Sequence, residues 1–453
     1  QIFAPFSSVP GTTPAPSTLT VRLDGRINVY AAAVADSGRN PGFVTTAAGT
    51  APVLANSKLS NYTMLNYIRL YPSFDGVSSN GLRYGGYIEF RQDNAVAPGG
   101  GINGSISAST RARGALYVRD DFVYVGTPQL GYLRFGSTWG ASTLFLTGTF
   151  ENFNDAGWDG DLPAAFTGNQ GLAFPFPDQS YTYAVTKAVY VSPQVAGFDF
   201  AASFAPGTGA VNSGSGNCGY ANTAAGASGV NDVAGTGAVN AGCDAASATT
   251  ALGDTTRYRD LMDFEFRYRG AFGPIGLTAE AGGIFSGKVA YDGPVTAASL
   301  VTKYDGLALG DGGLTVSYGG LSAGGHITAG RGNLTTFSPE ASNSKPSFAW
   351  IAGTSYAIGP VIVGASYFSL HAPGNEKTTT VAYNGMLKTY GAAVGGTYNF
   401  APGMNVFLSY LYGHQHESGT DLVTGTASTA AGHVFTHNTT QAQGASVGMQ
   451  FRW

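Results

Sequence analysis

The sequence predicts an all-β fold: a 16-stranded antiparallel transmembrane β-barrel with short turns at one end and long loops at the other. Three observations point there. Only 11% of residues are charged, against roughly 25% in soluble domains, yet the mean hydropathy is only +0.02. Apolar and polar residues alternate with a period of two through most of the chain. The linkers between alternating segments run short, then long, in turn. A soluble globule of 453 residues needs more surface charge. A helical membrane protein needs runs of about 20 apolar residues, and the sequence has none. A barrel wall accounts for the pairing, because half of each strand faces lipid and half faces water.

The elements follow in order. Segment 20–34 sets Val21, Leu23, Ile27 and Val29 against Arg22, Asp24, Arg26 and Asn28. A helix, with its repeat of 3.6, would mix these faces. Linker 35–59 leads to segment 60–72 and then to 80–93, where Leu82, Tyr84, Gly86, Ile88 and Phe90 oppose Arg83, Gly85, Tyr87, Glu89 and Arg91. Loop 94–106 precedes 107–126 and 129–137, joined at Thr127-Pro128. The long segment 138–178 precedes 179–192 and 196–206, joined by Pro193-Gln194-Val195. Loop 207–255 precedes 256–271 and 274–288, which turn at Phe272-Gly273-Pro274; there Met262, Phe264, Phe266 and Tyr268 oppose Arg257, Arg259, Asp263, Glu265, Arg267 and Arg269. After 289–299 come 300–319 and 320–332, turning at Gly319-Gly320. After 333–345 come 346–358 and 360–371, turning at Ile358-Gly359-Pro360. After 372–385 come 386–400 and 403–415, turning at Ala401-Pro402-Gly403; loop 416–434 leads to the last segment, 435–453. Glycine, with 67 residues about twice the roughly 7% average share, is expected at turns and where a lipid-facing wall needs little bulk.

Lipid offers backbone groups no partners, so the sheet must close. Sixteen strands leave a lumen too wide for side chains to fill, so it holds water. A soluble β-sandwich also gives alternating strands, but it does not explain the charge deficit. The net charge of −4 leaves no broad basic surface for nucleic acid. Apolar content is too high for disorder, and glycine has no collagen period.

The domain expectation is a Pro-rich segment, 1–19, followed by one barrel, 20–453. The start at Gln1, without a charged or apolar leader, reads as the mature form of an exported chain. Cys218 and Cys243 share the Gly/Ala/Ser/Asn-rich stretch 207–255. An isolated pair there reads as a disulfide stapling an external loop in an oxidising compartment. Metal binding by this pair lacks further ligands.

Ten of the sixteen arginines fall in the first 134 residues. On period two, Arg22, Arg26, Arg69, Arg83, Arg91, Arg111, Arg113, Arg119 and Arg134 project away from lipid. Lys and Arg are then absent from 135–186, which contains Glu151, Asp155, Asp159, Asp161 and Asp178. A basic wall facing an acidic loop sets a field across a pore, and fixed charges sort permeants. The run Asp155-Ala156-Gly157-Trp158-Asp159-Gly160-Asp161 offers oxygen ligands for calcium at Asp155, Asp159 and Asp161, but lacks the spacing of an EF-hand. His414 and His416 share a strand face and could hold a metal weakly; the histidines otherwise read as exposed loop residues.

The chain ends inside a strand, at Val447-Gly448-Met449-Gln450-Phe451-Arg452-Trp453. This resembles the terminal strand of Gram-negative outer-membrane barrels, with Gly448, Phe451 and Trp453 at the positions the barrel-assembly machinery reads; Phe is the usual last residue there. Gly81-Leu82-Arg83-Tyr84-Gly85-Gly86-Tyr87 and Gly131-Tyr132-Leu133-Arg134-Phe135-Gly136, with the strand count and loop order, resemble the general-porin family. That resemblance implies an outer-membrane homotrimer, in contact with outer-membrane lipid and lipopolysaccharide, that passes ions and small hydrophilic solutes by passive diffusion. It implies that the loop after the fifth strand, 138–178, folds inward. Glu151, Asp155, Asp159 and Asp161 then face Arg69, Arg83, Arg91, Arg111, Arg113, Arg119 and Arg134. Pairing of these arginines with Asp24, Glu89, Asp121 and Glu265 along the wall is the plainer alternative.

Two other functions stay open at this level. A substrate-specific channel would use Tyr67, Tyr71, Tyr87 and Tyr117, which share the inward parity. A surface-structural or adhesive barrel would use the long polar loops. Catalysis has little support, since Ser/His combinations occur only by chance placement, and no cofactor is expected.

Overall fold

A computed structural model describes residues 15–38, 43–44, 53–54, 60–92, 117–151, 153–160, 162–166, 172, 174–176, 185–206, 258–288, 304–335, 337, 339–341, 344–374, 385–423, 426–427 and 437–453. Sixteen antiparallel strands close into one barrel. They are β1 Thr18–Asp36, β2 Tyr62–Val77, β3 Arg83–Gln92, β4 Tyr117–Thr127, β5 Gly131–Thr138, β6 Val185–Val191, β7 Phe198–Ala205 and β8 Tyr258–Phe272. They continue as β9 Ile275–Lys288, β10 Ala308–Tyr318, β11 Leu321–Arg331, β12 Ser347–Ile358, β13 Val361–Pro373, β14 Met386–Ala401, β15 Met404–His416 and β16 Thr439–Arg452. Each strand pairs with its sequence neighbours, and β1 pairs with β16 from Arg26↔Arg452 to Asp36↔Ala442. Closure leaves no unpaired edge, which is what hydrocarbon demands. Every expected segment corresponds to one strand, and short and long connections alternate throughout.

The alternation sorts side chains as the period requires. In β1 the even positions from Arg26 to Val34 face the lumen, while Val21 and Leu23 on the other face are 73% and 62% exposed. In β8, Met262, Phe264 and Phe266 are outward and exposed, while Asp263 and Glu265 are buried on the inside. An exposed apolar band around a whole barrel is untenable in water and natural in lipid.

Boundaries differ where the pattern is locally broken. β2 runs to Val77 rather than residue 72, carrying Pro72 within it. Proline cannot donate to a ladder, and pairing with β3 breaks after Leu70↔Phe90 and resumes at Ser73↔Tyr87. β10 begins at Ala308 rather than residue 300. Cys218, Cys243, Arg111, Arg113, Asp161 and Asp178 lie outside the described residues.

The final strand seals the barrel. Gly25 and Trp453 exchange backbone hydrogen bonds of 3.1 and 3.2 Å. A Cβ on Gly448 would stand 2.4 Å from Tyr30 Cβ and 2.5 Å from Phe407 Cζ. Gly448→Ala will therefore overpack the seam, at about 1–3 kcal/mol. The expected result is a lower urea midpoint for loss of heat-modifiable electrophoretic migration; an unchanged midpoint contradicts the packing role.

Candidate functional site

The segment between β5 and β6 folds into the barrel and runs along its inner wall. It opens with a five-residue helix, α1 Ala141–Phe145, whose first turn is tied to β8. Ser142 donates to Asp263 Oδ2 through both N and Oγ at 2.8 Å. Thr147 N then donates to Glu280 Oε1 on β9 at 2.9 Å. Gly148 has φ +80°, and a Cβ there would stand 2.0 Å from the Gly325 carbonyl of β11, so only glycine fits. Further along, Thr397 Oγ1 donates to the Phe153 carbonyl at 2.7 Å, and Ser409 Oγ to the Ala156 carbonyl at 2.8 Å. Trp158 Nε1 donates to the Ala392 carbonyl at 3.0 Å. Wall and segment are thus stitched together from β8 round to β15.

Strand glycines make that approach possible. A Cβ at Gly353 would meet Phe150, at Gly364 Phe153, at Gly391 and Gly413 Trp158, and at Gly444 Phe166, at 2.5–3.2 Å from the nearest atom of each named side chain. These glycines face the lumen rather than lipid, which corrects the expectation for much of the strand glycine. Their inward neighbours Ile351, Phe368, Leu370 and Leu411 are buried, because the segment covers them in place of water.

The acids of the segment take three different positions. Glu151 is only 6% exposed and does not face the pore. Its Oε2 accepts from Asp159 N at 2.8 Å, and Ser366 Oγ of β13 lies 3.5 Å from Oε1. Burial pushes the Glu151 carboxyl up to about 8, with the nearby Asp159 charge adding to the shift and the hydrogen bonds opposing it. It is an internal staple. Asp155 reaches the arginine wall: Arg26 Nη1 is 3.2 Å from Asp155 Oδ1, and Tyr67 donates its phenolic hydrogen to Oδ2. With both oxygens so engaged, Asp155 sits in an ion-pair environment. Asp159 is exposed.

Register places four arginines directly opposite one another. Arg452, Arg26, Arg69 and Arg91 are consecutive partners across β16, β1, β2 and β3. Like charges so placed repel, and three features offset this. Asp155 pairs with Arg26, Glu89 pairs with Arg91, and the Tyr67 ring lies 5.3 Å from the Arg26 guanidinium and 4.5 Å from that of Arg69. Arg26 and Arg452 were absent from the expected constriction set. Their parity was readable, but the row exists only once the register is known.

The other predicted arginines are placed differently. Arg134 is 1% exposed and lies 4.8 Å over the Phe122 ring. Arg83 is half-buried, and Arg119 sits at the irregularity where β3 and β4 change register. Tyr71 and Tyr87 face inward and stack at 6.1 Å, but they are buried in a cluster with Phe122, Tyr124 and Tyr132. They pack on each other, and Tyr67 joins the Asp155 contacts.

On the far side of the barrel, Asp263, Glu265, Glu280 and Asp311 are buried on the inner faces of β8, β9 and β10. With sixteen strands, these lie about half a turn from the arginine row. His326 joins them from β11, 3.0 Å from Glu280 Oε1. His414 instead stacks on Tyr390 at 4.6 Å, and His416 Nδ1 is 2.9 Å from Thr439 Oγ1.

The fold has counterparts among solved structures. The outer membrane channel DcaP of Acinetobacter baumannii matches with a TM-score of 0.50 and 12% identity, over 98% of this chain and 100% of that one. The loop L8 deletion mutant of OmpT, an outer membrane protein of Vibrio cholerae, matches with a TM-score of 0.49 and 13% identity, over 96% and 99%. The trimer form of in-vitro folded OmpT from that organism gives 0.48 and 14%, over 96% and 100%. A search of curated protein sequences returns no match. The family model described as Gram-negative porin matches residues 7–418. The closed sixteen-strand barrel with its inward segment and that match over most of the chain place the protein in the Gram-negative porin family, as a porin of the outer membrane.

Proposed function

We propose that the channel is a passive diffusion pore narrowed by the segment between β5 and β6 and polarised across its width. Ions and small hydrophilic solutes pass the arginine row on β16–β3, while the acidic patch on β8–β10 is enclosed in the opposite wall beneath the inward segment. The single observation that carries this reading is the register of Arg452, Arg26, Arg69 and Arg91, half a barrel away from Asp263, Glu265, Glu280 and Asp311. Opposed fixed charges orient a dipolar solute and sort ions, and the low-dielectric wall focuses their field. Asp155 from the segment acts as counter-charge to Arg26, and the enclosed acids of the opposite wall act on the pore only at a distance.

Asp155→Asn tests the arrangement. It removes one negative charge and frees Arg26, so the zero-current potential under a salt gradient should move toward anion selectivity. Arg69→Gln with Arg452→Gln should move it toward cations. If neither potential moves, the row does not line the conducting path.

The family supports a homotrimer, to be checked by light scattering of the detergent-purified protein. It also supports recognition of Gly448, Phe451 and Trp453 by the barrel-assembly machinery, and contact of the outer belt with lipid and lipopolysaccharide. The Cys218–Cys243 disulfide remains part of the proposal, testable by thiol labelling before and after reduction.

A further inference from the structure

Beneath the start of the inward segment, three neighbouring strands bring Glu280, Asp311 and His326 together. One ligand-type atom from each lies within 4.8 Å of the other two, and all three side chains are buried. Glu265 belongs to the same patch: it pairs across β8 and β9 with Gly282, which pairs with Asp311. Two glycines give these groups room to converge. A Cβ on Gly313 would stand 2.8 Å from Glu280 Oε1 and 2.9 Å from His326 Nδ1, and one on Gly282 would stand 2.1 Å from Glu265 Oε2.

A second observation points to an occupant. Glu280 Oε2 is enclosed without a hydrogen-bond partner among the described residues, and the enclosed carboxyls of Asp311 and Glu265 meet each other across a shared hydrogen bond, with no basic donor on either. Asp311 is 8% exposed and Glu265 is 0% exposed. Arg267, on the same face of β8, is committed to Asp199 through contacts of 3.2 and 2.7 Å. Enclosed acids packed this closely are costly as carboxylates unless protons or a cation join them, and a bound cation would take the place of those protons.

We propose that Glu280, Asp311 and His326, with Glu265 beside them, form a divalent transition-metal site of the zinc class. Calcium and magnesium take oxygen ligands, whereas zinc takes imidazole nitrogen together with carboxylate oxygen. Metal–ligand bonds of about 2.0–2.2 Å require the ligand atoms to close to roughly 3.3 Å apart, a contraction within reach of the Glu280 and Asp311 side-chain torsions. The metal displaces the proton that an imidazole nitrogen would otherwise share with Glu280 Oε1 or the Thr147 carbonyl. Glu280 also accepts from Thr147 N, so an occupied site fastens the first turns of the inward segment to the wall. The ligands are among the acids named for the polarised pore, so a bound dication would offset part of that patch's negative charge, while zinc binding itself is read without reference to conductance.

The test uses the full chain, folded in detergent, stripped with chelator and titrated calorimetrically with zinc chloride. One zinc per chain is expected, with calcium chloride failing to compete. His326→Ala and the near-isosteric Asp311→Asn should each weaken binding at least about tenfold, with heat-modifiable migration verifying the fold. His414→Ala/His416→Ala should bind zinc as the parent does. Absence of saturable binding in the folded parent, undiminished binding in folded His326→Ala, or loss of binding in the His414/His416 variant overturns the assignment. X-ray absorption of the zinc-loaded parent needs no variant: a zinc shell with a single imidazole supports the site, and one without imidazole overturns it.

Discussion

Trp158→Ala will undock the inward segment, so that the channel conducts in larger and noisier steps while the barrel remains folded. Trp158 is only 2% exposed. It stacks on Phe166 with ring centroids 5.7 Å apart, meets Phe368 edge-on at 6.4 Å, and donates to Ala392 O at 3.0 Å. Gly391 and Gly413 form the floor beneath it. Truncating such a side chain costs about 3–5 kcal/mol. The barrel wall is held by sixteen paired strands, so the loss falls on docking of the segment. At about 1.4 kcal/mol per factor of ten, the ratio of undocked to docked segment rises by roughly 10² to a few times 10³. Planar-bilayer recordings at fixed salt give the readout. Unit conductance and open-state noise matching the parent, in protein with normal heat-modifiable migration, would show that Trp158 does not hold the constriction.

The barrel itself was legible because a strand writes its two environments into alternate residues. Val21 and Leu23 against Arg22 and Asp24 need no partner to be read. What lies inside the barrel was less legible. Parity says that Arg26 and Arg69 face inward; it does not say that they are opposite each other, because a pairing shift of one residue leaves each sequence unchanged. Asp155 pairs with Arg26 across 129 positions of sequence, and nothing local signals that contact. Glu151 looked like its acidic neighbours and turned out to be enclosed. Its burial comes from the way Asp159 N and Ser366 close around it.

Glycine was the most misleading signal. In β12–β16 the residues sharing an inward face with Gly353, Gly391 and Gly413 include Ile351, Ala393 and Leu411. An apolar, glycine-dotted inner face contradicts a simply water-filled lumen and marks the track of a packed segment. The acids Asp263 and Glu265 were readable on the polar parity of β8. Their meeting with Glu280, Asp311 and His326 required four strands in register.

Docking of the segment should also weaken as pH rises, through Glu151. Released into water, its carboxyl titrates near the ordinary glutamate value of about 4.3; docked, burial raises it to about 8. The docked form therefore binds more protons than the released form between these values. Docking is strongest below the lower value, declines by about 1.4 kcal/mol per pH unit through the window, and levels off above the upper one. The charged neighbour along the segment is Asp159, while Ser366 faces Glu151 from β13. The nearby Asp159 charge adds repulsion in the same direction. Glu151→Gln keeps the acceptor for Asp159 N and removes the titration. Occupancy of the high-conductance state should climb with pH in the parent and stay flat in Glu151→Gln between pH 5 and 9. Equal slopes in the two proteins would assign the pH response to another group, and a flat parent profile would mean that Glu151 is already ionised while docked.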